Sequence, residues 1–140
     1  MTRSALNSAI ELHDSILASV ESVGGRTKIL LQSAYIHKSE GVPGVDPGTG
    51  WVQDVILSVE SGSVEGQAVE LPYDVSDGEL LLNERKLENV VPLPLDHSGK
   101  IELMLHLTSN ERLVIRGDRI TSELAGTPRY VEDFPGTKSR

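Results

Sequence analysis

Hydrophobic and polar residues alternate along most of this chain with a period of two. The clearest run lies in residues 51–61, where Val55, Leu57 and Val59 are separated by more polar positions. Residues 100–108 repeat it, with apolar side chains at every second position from Ile101 to Leu107. Successive side chains of a β-strand point to opposite faces, so this period predicts strands with one face in a core.

The N-terminal part predicts a helix followed by a hairpin. Residues 4–12 carry apolar groups at Leu6, Ala9 and Ile10, which favours a short helix. Residues 16–20 and 26–36 are strand-like and flank the pair Gly24 and Gly25, a combination typical of a hairpin turn. We expect these two segments to pair.

Shorter strands, turns and edges are predicted in the rest of the chain. Further strands are expected at residues 64–71, 79–82, 113–116 and 120–124, with turns at 73–79 and 117–118. Pro92 and Pro94 lack the backbone N–H that a central strand needs, so residues 90–95 are predicted to form an edge segment.

Strands with turn signals about every 8–12 residues indicate an all-β fold with about seven to eight antiparallel strands. We expect a jelly-roll-like β-sandwich, with a β-barrel as the alternative. One domain is predicted for residues 1–140, with its core in residues 10–134 and a disordered tail at 136–140.

Composition and charge restrict the partners. The 140 residues are 38% hydrophobic and 24% charged, as in a soluble globular domain. The 13 Lys and Arg are outnumbered by 21 Asp and Glu, for a net charge of -8. Because binding to phosphate backbones needs clustered cations, nucleic acid and anionic membranes are not expected as partners. An acidic surface instead favours basic partners.

The absence of cysteine removes disulfides, thiolate ligands and Cys nucleophiles from consideration. No apolar run approaches 18 residues, and the N-terminus has no apolar signal segment. We therefore expect a cytoplasmic protein without a membrane span, and we assign no cofactor.

Two histidines and a carboxylate form the first candidate site. Pairing through the Gly24 turn would place His13 opposite Ile36 or His37. Two imidazoles with Asp14, Asp46 or Asp54 nearby could bind a transition metal or act as an acid–base pair. The alternative is that both histidines bond to the loop backbone at the end of the hairpin.

Asp14 raises a separate question. Extending the alternation of Ile16, Ala18 and Val20 backwards places Asp14 on the apolar face of the strand. A buried carboxylate must be paired or change its protonation. Asp14 could be a functional acid. The favoured alternatives are a structural role, with hydrogen bonds from loop amides or Ser15, and a bulge that turns Asp14 outwards.

A long loop rich in Gly and Pro is predicted at residues 36–51, ending on the only tryptophan. It lacks the P-loop and dinucleotide-binding patterns and leads into a strand, which argues against phosphate binding. Trp51 could stack on a sugar or an apolar ligand, or it could anchor the loop by packing. The candidate ligand-binding residues are therefore His13, Asp14, His37, Asp46 and Trp51.

Two other patterns carry weaker signals. Asp74, Asp77 and Glu79 could supply oxygen ligands to calcium, but the EF-hand pattern is absent, and a solvated turn whose backbone is capped by Asp side chains is favoured. No Gly-x-Ser-x-Gly sequence supports a serine hydrolase. No catalytic residue is assigned.

Three segments resemble a group of small uncharacterised bacterial proteins. They are Leu-His-Asp-Ser at 12–15, the Leu-Pro-x-Asp-x-Ser-Asp-Gly run at 71–78, and Gly-Thr-Pro-Arg-Tyr-Val-Glu-Asp-Phe at 126–134. The resemblance implies a small cytosolic bacterial all-β domain and carries over no catalytic residue.

The sequence favours a non-enzymatic module that binds another protein or self-associates. Its negative charge, its edge-forming prolines and the lack of a catalytic motif support this hypothesis. One alternative is a small-ligand or metal-binding protein or enzyme with its site at the end of the first hairpin. A second is an acidic immunity-type or inhibitor protein that neutralises a basic partner.

Overall fold

Every regular element in the described part of the chain is a β-strand. The computed structural model describes residues 7–66 and 70–136. It contains ten strands: β1 (Asn7–Glu11), β2 (Ile16–Val23), β3 (Arg26–Ser39), β4 (Gly48–Glu60), β5 (Ser63–Gly66), β6 (Tyr73–Leu82), β7 (Arg85–Glu88), β8 (Val90–Leu93), β9 (Asp96–Leu107) and β10 (Arg112–Phe134). No helix long and apolar enough to cross a membrane occurs in these ranges. The prediction of an all-β fold is confirmed.

All ten strands belong to one antiparallel sheet. Its main path runs β2-β6-β9-β10-β4-β3-β1-β8, while β5 pairs with β10 and β7 pairs with β6. Because β2 also pairs with β3, the hydrogen-bonded path through β2, β6, β9, β10, β4 and β3 returns to its first strand. The structure does not confirm a two-layer sandwich of seven or eight strands.

The core lies on the face that the period-two pattern identifies. Ile101, Leu103, Leu105 and Leu107 of β9 are all buried, as are Val55, Leu57 and Val59 of β4. On β1 and β3, Ile10 pairs with Ile36, and both side chains are buried in the same cluster. β1, β3, β4 and β9 therefore contribute alternate residues to one continuous core.

The predicted N-terminal helix is wrong where the chain is described. Asn7–Glu11 forms β1 and pairs with β3 on one side and β8 on the other. Ala9 and Ile10 are both buried, and adjacent residues on a strand face opposite ways, so β1 is covered on both faces. Tertiary pairing thus overrides a weak helical pattern. Residues 4–6 of the predicted helix lie outside the described residues.

The first hairpin is confirmed, with Val23 paired to Arg26 around Gly24 and Gly25. Two other predicted turns are wrong. Residues 73–79 belong to β6, and Gly117 and Asp118 form an irregularity within the single long strand β10. A side chain at Gly117 would meet the backbone oxygen of Glu60 and the side chain of Val59, so close strand packing, not a turn, explains this glycine.

The connection between β3 and β4 is shorter than predicted. His37 and Ser39 lie in β3 and Trp51 lies in β4, which leaves residues 40–47 as the loop. Because β3 and β4 are paired neighbours, this loop is a long hairpin connection and not a crossover. Of the predicted tail, residues 137–140 lie outside the described residues, as do 67–69 of the predicted strand 64–71.

Candidate functional site

A carboxylate held between two histidines lies where β1 meets β3. Nε2 of His37 lies 2.6 Å from Oε2 of Glu11, and Nε2 of His13 lies 2.6 Å from Oε1 of the same carboxylate. The carboxylate of Asp14 lies 3.3 Å from Nε2 of His13. We call Glu11, His13, Asp14, His37 and Asn89 the Glu11 hub.

Pairing and a turn bring these side chains together. Ala9 is the partner of His37, and Glu11 is the partner of Tyr35, so Glu11 and His37 lie on the same face of adjacent strands. After β1 the chain turns at Asp14, whose φ of 70° is in the left-handed region. His13 lies in this turn, two residues after Glu11, and its Nε2 reaches the Glu11 carboxylate.

Asn89 determines the tautomer of His13. The Asn89 Oδ1 atom accepts a 2.9 Å hydrogen bond from the backbone N–H of His13, which orients the side-chain amide. Its Nδ2 therefore faces Nδ1 of His13 and donates to it. In the neutral ring the proton must then be on Nε2, which donates to Glu11.

The ring of His37 is held by two aromatic rings and by the Glu11 carboxylate. Its side chain is 9% exposed, and the rings of Tyr35 and Phe134 contact it edge-on at 4.8 and 4.9 Å between centroids. A carboxylate only accepts hydrogen bonds, so Nε2 of neutral His37 carries the proton that Glu11 accepts. Nδ1 of His37 is buried without a hydrogen-bond partner in the described part of the chain.

The Nε2–H tautomers of His13 and His37 disfavour metal binding at this site. One ligand atom from each of Glu11, His13 and Asp14 lies within 4.8 Å of the others, close enough for a shared cation. A histidine that binds a metal through Nε2 normally donates its Nδ1–H to an acceptor. His13 faces a donor at Nδ1 and His37 faces no partner there. The Glu11 carboxylate is thus a hydrogen-bond acceptor for two imidazoles.

A second link joins this region to the end of β10. The Tyr35 hydroxyl donates a 2.5 Å hydrogen bond to Oε2 of Glu132. It reaches Glu132 over Gly50, the residue of β4 that pairs with both His37 and Glu132. Burial, followed by the nearby Glu132 carboxylate, raises the pKa of Tyr35 far above its usual value.

The sequence-predicted residues divide into two groups. His13, His37 and Asp14 meet at the hub, although His13 is not the register partner of His37.

The two other aspartates bind backbone N–H groups away from the hub. Asp46 accepts a 2.7 Å hydrogen bond from the backbone N–H of Val42 within the 40–47 loop. Asp54 likewise accepts one from the backbone N–H of Ser33, at 2.9 Å.

The prediction that Asp14 lies on the apolar face is wrong. Its side chain is 70% exposed. The left-handed turn at residue 14 interrupts the alternation that would have carried it inwards, so the outward-turned alternative is the one found.

Trp51 lies on the other face of β4 from Gly50, away from the hub. Its indole N–H donates to Oγ1 of Thr49 at 2.8 Å, and its ring contacts Tyr130 edge-on at 5.5 Å. The Lys38 ammonium lies 4.7 Å from the centre of the indole ring. Trp51 therefore belongs to a different surface, one that includes β10.

That surface is bordered by an unpaired strand edge. β10 pairs with β9 as far as Thr121, and the backbone N–H of Ser122 donates to the carbonyl of Leu95 at 2.9 Å. From residue 123 to residue 134, β10 pairs with β4 on one side, and no described strand pairs with its other side. We call residues 123–134 the β10 edge. Leu124, Tyr130 and Val131 on it are 53%, 50% and 45% exposed.

A groove opens beside this edge. It has a volume of about 160 Å³ and is lined by Ser8, Ile36, Lys38, Leu93, Pro94 and Leu124. We call it the Leu124 pocket. Most of its wall is apolar, and one cationic side chain, Lys38, lies at its border.

Sequence reasoning missed Glu11, Asn89 and the β10 edge. Glu11 ends β1 and His13 lies in the turn that follows, so no single secondary-structure period links the two residues. Asn89 is 76 residues from His13 and gave no local signal. The sequence predicts two short strands at 113–116 and 120–124, whereas the structure has the single long strand β10, so the β10 edge is not indicated by the sequence.

No protein-family model, curated protein or solved structure matches this chain.

Proposed function

We propose that this protein is a non-enzymatic binding module that takes up an extended segment of another protein along the β10 edge. The observation that supports the proposal is the unpaired outer side of β10, where three large apolar residues are at least 45% exposed. An open edge presents unpaired N–H and C=O groups, which pair with an added strand.

The direction of the backbone groups supports this proposal at Leu124. In an antiparallel ladder, the N–H and C=O of one residue point to the same side and alternate along the strand. The N–H of Ser122 points away from β4, towards Leu95, and the β10–β4 register is regular from Arg119 to Ala125. The N–H and C=O of Leu124 therefore also point away from β4, towards an added strand.

Charge indicates the chemistry of the partner. Residues 123–134 contain Glu123, Glu132 and Asp133 against the single cation Arg129, and the whole chain has a net charge of -8. A basic segment would be attracted both at long range and at the edge. An acidic immunity-type protein that neutralises a basic target is one form of this function, and a cytoplasmic location remains part of the proposal.

A bulge limits the length of strand that can pair. The β10–β4 register shifts between Ala125 and Arg129, and Pro128 within that interval has no N–H to donate. An added strand can therefore pair on either side of the bulge but not across it. Such a short contact buries less than the standard interface of about 1,600 Å², so we expect a weak, reversible complex.

Fluorescence anisotropy with labelled octapeptides tests the proposal. We expect a peptide of alternating Val and Lys to bind, and its Val and Glu counterpart not to bind. Leu124→Pro removes an outward N–H and should abolish binding, whereas Leu124→Ala keeps that N–H and should only weaken it. Equal binding of both peptides, or normal binding by folded Leu124→Pro, would contradict the proposal.

A second copy of the chain is the competing occupant. Two copies with a charge of -8 each repel one another, so we expect a monomer in light scattering at high concentration. A dimer that the Val and Lys peptide dissociates would identify self-association as the function of this edge, in place of a basic partner.

A second candidate function is cation binding at the Glu11 hub. The closeness of ligand atoms from Glu11, His13 and Asp14 favours it. The proton on Nε2 of each histidine opposes it, since binding would require its displacement. Calorimetric titration with zinc chloride tests this candidate, and tight stoichiometric binding that is lost in Glu11→Gln would place it first.

The closed path of strand pairings also favours a closed sheet over the expected sandwich. We propose this arrangement for the six strands of that path, with β1 and β8 as an extension at β3.

A further inference from the structure

The Leu124 pocket gives the added strand a side-chain requirement. The pocket has a volume of about 160 Å³, and its walls include the apolar residues Ile36, Leu93, Pro94 and Leu124. An apolar cavity of about 150 Å³ is large enough for a benzene molecule. The space therefore suits one leucine or phenylalanine side chain.

Strand pairing would place one side chain of the partner, that of the residue opposite Leu124, at this pocket. Residues directly opposite one another in an antiparallel pair have side chains on the same face of the sheet. Leu124 lines the pocket and directs its backbone groups towards the added strand. The partner residue opposite Leu124 therefore directs its side chain to the pocket, while its two neighbours point to the other face.

Lys38 sets the charge requirement at this position. Its ammonium lies over the Trp51 ring at the border of the pocket, and no ion pair with a carboxylate is found for it among residues 7–66 and 70–136. A cationic side chain in the pocket would be repelled by it and would lose hydration against the apolar wall. The basic residues of the partner must therefore lie at the alternate positions, towards the other face.

We infer that the Leu124 pocket holds one uncharged leucine- or phenylalanine-sized side chain of the partner strand, and that Lys38 excludes a basic residue from that position. This inference rests on the proposed strand addition at the β10 edge. It adds a rule for the partner sequence: an apolar anchor flanked by basic residues.

A peptide panel tests this rule. Octapeptides of alternating Thr and Lys carry one variable residue in place of a central Thr, which is Ala, Leu, Phe or Lys. We expect the Leu and Phe peptides to bind about tenfold more tightly than the Ala peptide, and the Lys peptide to bind least. Anisotropy of the labelled peptides supplies the affinities.

Two variants sharpen the test. Ser8→Leu fills the pocket, which Ser8 lines, and should remove the preference for the Leu peptide over the Ala peptide. Lys38→Met should raise the affinity for the peptide with a central Lys. Circular dichroism confirms that each variant is folded.

The outcomes separate the two proposals. Equal affinities for the Ala, Leu and Phe peptides would overturn the pocket inference and leave strand addition standing. If neither these peptides nor the Val and Lys peptide binds, strand addition itself fails. If folded Ser8→Leu still bound the Leu peptide more tightly than the Ala peptide, a surface other than the Leu124 pocket would bind the leucine side chain, and the pocket inference would be overturned.

Discussion

The side-chain amide of Asn89 donates to Nδ1 of His13, and this contact determines which ring nitrogen carries the proton. The same amide accepts a hydrogen bond from the His13 backbone, so it is not free to flip. The contact therefore distinguishes a hydrogen-bonded cluster from a metal site built of the same residues.

Replacing Asn89 with aspartate should convert the hub into a zinc site. The carboxylate of Asn89→Asp accepts from both the backbone N–H and Nδ1–H of His13, which frees the lone pair of Nε2 for a metal. Outer-sphere acceptors of this kind change metal affinity by about 10–100-fold. We expect zinc affinity to rise at least tenfold above that of the unsubstituted protein, measured by calorimetry.

Asn83→Asp is a matched control. Asn83 also has a positive φ, accepts a hydrogen bond from a backbone N–H, that of Lys100, and contacts a histidine ring, that of His97. It lies outside the Glu11 hub, so Asn83→Asp should leave zinc affinity unchanged. Equal gains in both variants, or none in Asn89→Asp, would contradict the tautomer assignment.

Glu11→Gln should destabilise the fold by about 1–3 kcal/mol. The glutamine amide can accept from one imidazole, but its NH₂ group then faces the Nε2–H of the other. A tautomer change relieves neither ring, because Nδ1–H of His13 would face the Asn89 amide and Nδ1–H of His37 would be buried without an acceptor among the described residues. Urea unfolding followed by circular dichroism measures the loss.

Glu102→Gln provides the comparison. The Glu102 side chain is 24% exposed, close to the 23% of Glu11, and pairs with Arg116 at the surface. Such pairs contribute about 0–1 kcal/mol. If Glu11→Gln cost no more than Glu102→Gln, the hub would have no special structural role.

Gly50→Ala should disturb the contact between β3 and the end of β10. A methyl group there would collide with the Tyr35 hydroxyl and ring, and overpacking of this kind costs about 1–3 kcal/mol. Because the hydroxyl is the nearest atom, Tyr35→Phe should recover part of the loss in the double variant. Strictly additive effects in unfolding experiments would argue against this collision.

Stability should fall at alkaline pH because of Tyr35. Burial and the Glu132 carboxylate raise the pKa of Tyr35 in the folded state above its unfolded value of about 10. Its contribution is therefore complete below pH about 10 and decreases above it, since the unfolded state releases the proton first. Denaturation midpoints should drop less steeply with pH in Tyr35→Phe, and identical slopes would contradict this assignment.

The sequence predicts the features of the fold that depend on a few neighbouring residues. The alternation at Val55, Leu57 and Val59 identified a core strand, and the glycines at 24 and 25 identified the first hairpin, because both signals are contained within a few residues. The convergence of His13 and His37 was also suggested, although through the wrong register.

Long-range pairing accounts for what the sequence did not reveal. Residues 7–11 form a strand only because β3 and β8 lie on either side, and Asn89 reaches His13 from 76 residues away. Gly117 resembles a turn in sequence, yet it permits β10 to continue past β4. The open β10 edge is a property of the whole topology, so no local pattern could predict it.

An NMR titration with the Val and Lys octapeptide tests strand addition most directly. We predict that amide shifts will be concentrated in residues 122–125 and 129–134, with a change at the Trp51 indole and little change at Glu11, His13 and His37. Shifts centred on the Glu11 hub, or spread evenly over the acidic surface without protection of the Leu124 amide from exchange, would contradict a binding strand at the β10 edge.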